Sequence, residues 1–460
     1  MYISRCQRFL LAASLFLFPL SLLAQSVTDP NINIQTFATG FSQPTGMAFL
    51  GNSPSDFFVI EKASGLVRRW QSGVTSTVLT LPVNSSSERG IIGITLDPQF
   101  NSGRPYGYIQ YSRQASGDWS ENRVSRFTWN GTSFTNEVPL MSFPSDGTQA
   151  NGPNHNGGPM KFGQDGFLYG TTGDLNRSRA EQNRGVGNTS SQAGGIFRYN
   201  TILVDSSGNL TGDPFATNPF RNNAPANANT GFHPWVAYGV RNSFGLTVDP
   251  ANGSIWFTDN GPSQYDEINR LTVGMNGGWN RIMGPGSRTA SELPNLINLR
   301  DPPGPGNDVT NADNYVDPQF SWLSPVGITS LTFLHGSQWG TPYDNMVLVG
   351  DNNTGRIYRF RLDPLRSAFD LTGLTGVSDL VADNATEVNQ FVFGTGFSVI
   401  TDIQRGPDGA MYFMNLGTGT VLRLIAVPEP HVWIMIGITV LVLGIVLYRR
   451  WIPKLDPDIE

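Results

Sequence analysis

An all-β fold assembled from one recurring strand–turn–strand unit is what this sequence predicts, and three observations predict it. Glycine (52 residues) and proline (31) are abundant in the 460-residue chain, while long helical patterns are nearly absent; that balance favours many short strands and turns. A unit of similar make-up recurs six times along the body. The turn dipeptides Asp97-Pro98, Asp165-Gly166, Asp249-Pro250 and Asp408-Gly409 recur between the first two strands of a unit. Self-similar β units of this size arrange radially, so the expectation is a six-bladed β-propeller.

The first unit runs from residue 44 to 70, through Gly46-Met47-Ala48-Phe49 and Phe57-Phe58-Val59-Ile60 to Arg68-Arg69-Trp70. The second occupies residues 93–127 and the third begins at residue 160 and closes at Tyr199. The fourth, fifth and sixth start at Gly245, Ser330 and Thr401, and each closes on a further strand, the last at residues 420–425. Three strands are legible per unit. Residues 33–38 can supply a strand that closes the ring against the sixth blade. Long connections fall at residues 112–122, 173–194 and 276–324, where loops at one mouth would build a site.

The two ends read as targeting elements around a body at residues 27–426. Arg5 and Arg8 precede an apolar run at 9–23, and Ala24 offers a cleavage position, so residues 1–24 read as a secretory signal. Its removal takes away Cys6, the only cysteine, and leaves the body without a disulfide or a thiol nucleophile. At the other end Val427-Pro428-Glu429-Pro430 precedes an apolar segment at 432–448 and then Arg449-Arg450. This order predicts a single membrane span within residues 427–450, with residues 451–460 as a cytoplasmic tail and the body outside. It also resembles a PEP-CTERM sorting signal of bacterial envelope proteins, from which it departs by the tail beyond the basic pair. The predicted place is an exported, membrane-anchored position in the bacterial cell envelope. The net charge of −6 implies no basic surface for nucleic acid.

The chemistry centres on residues 155–174 (HNGGPMKFGQDGFLYGTTGD). A strand at 160–162, an Asp-Gly turn and a strand at 167–172 make a hairpin. The hairpin returns the chain, so His155 and Asp174 can meet at one end. A carboxylate beside an imidazole fixes its tautomer and raises its basicity. Spacing alone leaves open a structural reading, in which His155 satisfies a loop and Asp174 caps a turn.

Four stretches in order, residues 88–100 (ERGIIGITLDPQF), 155–174, 239–245 (GVRNSFG) and 259–269 (DNGPSQYDEIN), resemble the soluble PQQ-dependent glucose/sorbosone dehydrogenase family. The resemblance spans residues 40–426. It implies that His155 takes the proton of a sugar's anomeric hydroxyl while the hydride passes to PQQ, that Asp174 orients His155, and that Arg241 lies near the quinone carbonyl that gains charge. It further implies that Asn242 and Glu88 contact the cofactor, and that Ca2+ is bound by the carbonyls of Gly261 and Pro262 and, at a second site, by Asp266 and Glu267. The expected partners are an aldose sugar or glycan and an electron acceptor of the envelope.

The chain departs from the family where cations should hold the carboxylates of PQQ. An Arg-x-Arg-Asp stretch is replaced by Val399-Ile400-Thr401-Asp402, and a lysine position falls at about Asn353. Arg405 shares the strand parity of the lost pair. Two further readings therefore stand beside the dehydrogenase: a non-catalytic propeller binding carbohydrate or protein at the cell surface, and a calcium-dependent lactone or ester hydrolase using Asp351, Asn352, Asp402 and Glu88.

Overall fold

A computed structural model describes residues 25–144, 152–176, 183, 193–221, 233–296, 315–335, 339–340, 343–427 and 430–451. The expected secretory signal and the end of the cytoplasmic tail lie outside these residues. The body is a ring of six antiparallel blades. Their innermost strands are Pro44–Phe49, Ile91–Leu96, Met160–Phe162, Leu246–Val248, Ile328–Leu334 and Ile400–Arg405. Each packs beside the next around a central channel. Every innermost strand starts at one face, here called the mouth, and runs to a turn at the opposite face, the back.

The ring closes as the sequence suggests. Ile32–Ala38 pairs antiparallel with Thr420–Ala426, so blade six is built from both ends of the body. Blades carry four or five strands rather than the three legible in sequence. The outer ones include Val74–Thr80, Phe134–Pro144, Trp235–Tyr238, Phe320–Trp322 and Val392–Thr395. The connection expected at 112–122 is not a loop. Tyr106–Ala115 and Asp118–Trp129 stay paired up to Ala115 and Asp118, which makes a long hairpin around Ser116 and Gly117.

The recurring turn aspartates have a physical reason. Asp97, Asp165 and Asp408 each accept the hydroxyl of a second-strand tyrosine, Tyr108, Tyr169 and Tyr412, at 2.9, 2.7 and 2.9 Å. Blade four has no such tyrosine; Asp249, fully buried, takes a bidentate guanidinium from Arg366 at 2.7 and 2.8 Å instead. The turns are thus tied down by side chains, and the apolar core lies between neighbouring blades. Between blades four and five, Trp256, Phe320 and Trp322 face Phe333, Tyr358 and Phe360, with Phe360 stacked on Phe391 at 4.6 Å. Burying each large ring contributes roughly 1.5–3 kcal/mol.

The segment expected to span a membrane forms a 22-residue helix, Pro430–Trp451. Apolar side chains such as Val440, Leu441 and Leu447 are exposed on it. Among the described residues, however, no helix is long and apolar enough to cross a membrane.

Candidate active site

The blade-three hairpin brings its two ends together at the mouth. His155 Nδ1 lies 2.6 Å from Asp174 Oδ1. The His155 backbone is left-handed (φ 63°) and only 9% of the residue is exposed. Its N–H donates to Glu88 Oε2 at 2.6 Å, and its carbonyl accepts from Leu175 N. Asp174 Oδ2 accepts from Trp279 Nε1 at 2.8 Å, and Oδ1 also accepts from Asn176 N at 2.7 Å. With Nδ1 committed to Asp174, the other ring nitrogen, Nε2, has no partner among the described residues. Gly173 sits at the crossing of three chains: a Cβ there would meet the carbonyl oxygens of His155 at 2.4 Å and Arg241 at 2.7 Å.

Blade four delivers the second half of the site. Asp259, at the mouth end of Ile255–Asp259, accepts the N–H groups of Arg241 and Asn242 at 2.9 and 2.7 Å. This fixes the loop that carries both residues. Arg241 Nη1 donates to the carbonyls of Asn260 and Gly261 at 2.7 and 3.2 Å, and the guanidinium lies over Trp279, 5.4 Å from the ring centre. Asn242 is spent at both ends of its amide, accepting from Gly157 N at 3.2 Å and donating to Glu88 Oε2 at 3.1 Å.

Beneath these loops lies a buried acidic cluster. Asp259 and Glu267 are cross-strand partners, and Asp266 is next to Glu267. Burial raises the carboxyl pKa of both Asp259 and Glu267, and their mutual charge adds to the rise in Glu267. Burial also pushes Asp266 up to about 6, against three backbone N–H bonds from Gly261, Gly327 and Ile328.

A cavity of about 360 Å³ occupies the channel behind this cluster of mouth residues. It touches the site through Glu88, Gly157 and Asn260. All six innermost strands or their leading loops reach it, with hydroxyls from Thr45, Thr329, Ser330 and Thr401 and apolar faces from Met160 and Phe244. Three buried polar atoms at the site are unpartnered among the described residues: Arg241 Nε, Asn260 Oδ1 and Thr329 Oγ1.

The glucose/sorbosone dehydrogenase model matches residues 41–423 of this chain. The chain belongs to the glucose/sorbosone dehydrogenase family. A relative in Escherichia coli, the aldose sugar dehydrogenase YliI, is 22% identical over 421 residues, covering 89% of this chain and 98% of its own. The quinoprotein glucose dehydrogenase B of Acinetobacter calcoaceticus is 25% identical and covers 70% of this chain and 76% of its own. The PQQ-bound form of an aldose sugar dehydrogenase from Streptomyces coelicolor shares the fold, with a TM-score of 0.58 at 20% identity over 87% of this chain and 99% of that one.

Within this glucose/sorbosone dehydrogenase fold, His155 and Asp174 meet as the hairpin suggests, and the backbone carbonyl of Arg241 accepts from Asp174 N at 2.8 Å. Glu88 and Asn242 are present too, but their polar atoms hold the loops of His155 and Gly157. The residues expected to take calcium do not make a calcium site as they stand. The Gly261 carbonyl faces the Arg241 guanidinium, the Asp266 carboxylate is met by backbone N–H groups, and Glu267 accepts from Gly284 N and Asn269 Nδ2. Pro262 is exposed. Among the described residues, no group of three or more His, Cys, Asp or Glu is arranged to hold a metal. Arg405 does not line the cavity either. A bulge between Ile400 and Asp402 shifts the strand's register, so Asp402 and Gln404 face inward instead. Trp279 and Asp259 escaped the sequence reading of the site: one lies in the excursion after blade four, the other inside a matched motif with no role attached.

Proposed function

We propose that the protein is a sugar dehydrogenase that oxidises the anomeric carbon of an aldose to the lactone, with PQQ as the acceptor. The observation that carries this reading is the His155–Asp174 pair, with Nε2 left without a protein partner among the described residues, on loops that border the central cavity through Glu88 and Gly157. In this reading His155 Nε2 accepts the proton of the anomeric hydroxyl. Asp174 holds the imidazole in the tautomer that presents a bare Nε2 and stabilises the cation that forms. Trp279 keeps Asp174 turned toward His155. When bound, PQQ supplies an electrophilic quinone that takes up the hydride released from the anomeric carbon. The unpartnered Arg241 Nε, Asn260 Oδ1 and Thr329 Oγ1 suit a polar, planar guest in the channel, and a fixed guanidinium is useful where charge develops.

The proposal includes export and attachment to the cell envelope through the tail helix, with an envelope carrier receiving the electrons. The exposed apolar side chains of that helix support attachment. A second reading, a propeller that binds glycans without turnover, is favoured by one observation: Val399 and Thr401 line the cavity without charge, and the Thr401 hydroxyl is spent on Pro44 O.

The test is dye reduction by the purified protein with PQQ and a panel of aldoses, with and without calcium. Saturable reduction that falls roughly 10²–10⁴-fold in His155→Ala is expected. No reduction, and no quenching of tryptophan fluorescence at micromolar PQQ, would overturn the proposal in favour of the binding module.

A further inference from the structure

Two cations line the central cavity, Lys62 and Lys161. They are in different states. Lys62 Nζ donates to three backbone carbonyls, those of Ser87, Arg89 and Ser85, at 2.6, 3.3 and 3.5 Å. Its donors are used up in shaping the loop that carries Glu88. Lys161 stands on the innermost strand of blade three, and its Nζ crosses the channel to Gln404 Oε1 of blade six at 2.8 Å. That neutral oxygen is its one hydrogen-bond partner among the described residues.

The nearby Asp402 does not neutralise Lys161 by contact. Its oxygens accept from Met47 N at 3.0 Å, from Gln404 Nε2 at 3.1 and 2.9 Å, and from Ser330 Oγ at 3.4 Å. Among the described residues, no carboxylate lies within ion-pair distance (4.0 Å) of Lys161. An ammonium has three donors, and a desolvated one calls for an anion. Burial accordingly lowers the pKa of this amine, against the field of Asp402. Ser330, Thr329 and Thr401 line the same space.

We infer that Lys161 is the anion-recognition residue of the central cavity and binds a carboxylate of the planar polyacid that fills it, in place of the arginine pair missing at Val399 and Thr401. This rests on the dehydrogenase reading for the identity of the polyacid, PQQ, but not for the anion site itself. A free aromatic polyacid offers the same carboxylate chemistry and separates the two.

Binding of PQQ and, separately, of benzene-1,3,5-tricarboxylate would be measured by tryptophan quenching and calorimetry. The proteins would be wild type, Lys161→Met and Lys161→Arg, each first checked for an unchanged melting profile. Lys161→Met should weaken binding about tenfold or more, the size of one charge-assisted hydrogen bond. Lys161→Arg should restore most of it. Tricarboxylate binding that depends on Lys161, without PQQ binding, would sustain the anion site and overturn the dehydrogenase reading. Equal affinity of wild type and Lys161→Met for both probes would overturn the inference, as would binding of neither probe by wild type. Should Lys161→Met not fold, equal binding by wild type at low and high ionic strength would overturn it too, because a charge-held carboxylate loosens with salt.

Discussion

The backbone nitrogen of His155 donates to Glu88 Oε2 at 2.6 Å, across 67 residues of chain. The same oxygen takes the Asn242 amide. One carboxylate from the loop before blade two therefore sets the position of residues from blades three and four. Glu88→Ala should release the strained left-handed turn at His155. The expected result is a loss of about 1–3 kcal/mol of stability, read by chemical denaturation, with a larger proportional loss of dye reduction. Glu88→Gln should recover most of the stability.

Trp279 Nε1 donates to Asp174 Oδ2. Trp279→Phe keeps an aromatic ring at this position and removes the N–H that meets Asp174, together with part of the indole. Turnover should fall about tenfold, as for one lost hydrogen bond to a charged group, and the acid limb of the pH–rate profile should move while the melting temperature stays close to wild type.

The buried carboxyls give stability a pH dependence of definite sign. Asp266 is raised from 3.8 to about 6, and Asp259 and Glu267 shift the same way. Between the ordinary and the raised pKa the folded protein holds more protons than the unfolded chain. Stability from these groups is therefore full below about pH 4 and is lost as pH rises through about 6 and beyond. Glu267→Gln removes one of the three charges. It should stabilise the protein by about 1 kcal/mol at pH 8 and have little effect at pH 5, as read from paired melts.

Calcium offers a further check. The carboxylates of Asp266 and Glu267 are already satisfied by protein donors. Chelation should leave the melting temperature of the cofactor-free protein unchanged, whereas a fall of several degrees would establish a structural ion there.

Ring closure depends on Ile32–Ala38. A protein lacking residues 25–38 exposes the edge of blade six, and an open edge invites pairing with other chains. A melting temperature lower by roughly 5–10 °C and growth of soluble aggregates are expected in scattering measurements.

What the sequence disclosed follows from how strongly each feature is patterned. The meeting of His155 and Asp174 was legible because an Asp-Gly turn between two short strands fixes both ends at one place. The units were legible because their strand–turn–strand make-up repeats, and four of the six carry a turn aspartate, at 97, 165, 249 and 408. The outer strands were not. Val74–Thr80 is half polar and mostly exposed, so its alternation carries little signal. Trp279 was hidden because a loop has no period. Arg405 misled because the bulge after Ile400 adds a residue that strand parity cannot count. Lys161 passed unremarked as a lone basic residue in an apolar strand; only the ring shows that blade six stands opposite.

Ala426 pairs with Ile32, and Val427 N–H bonds Asn31 O at 2.7 Å. Both ends of the body thus depart from the face of the Asp-Gly turns, while His155 opens on the other. Any tether acting through the tail grips the molecule from behind and gives it an orientation. The chemistry then points away from the supporting surface, where the end of a bulky polymer can dock unobstructed. On the proposed dehydrogenase reading, a carrier confined to that surface would meet only the blind side, and the acceptor would have to be one free to come round the rim.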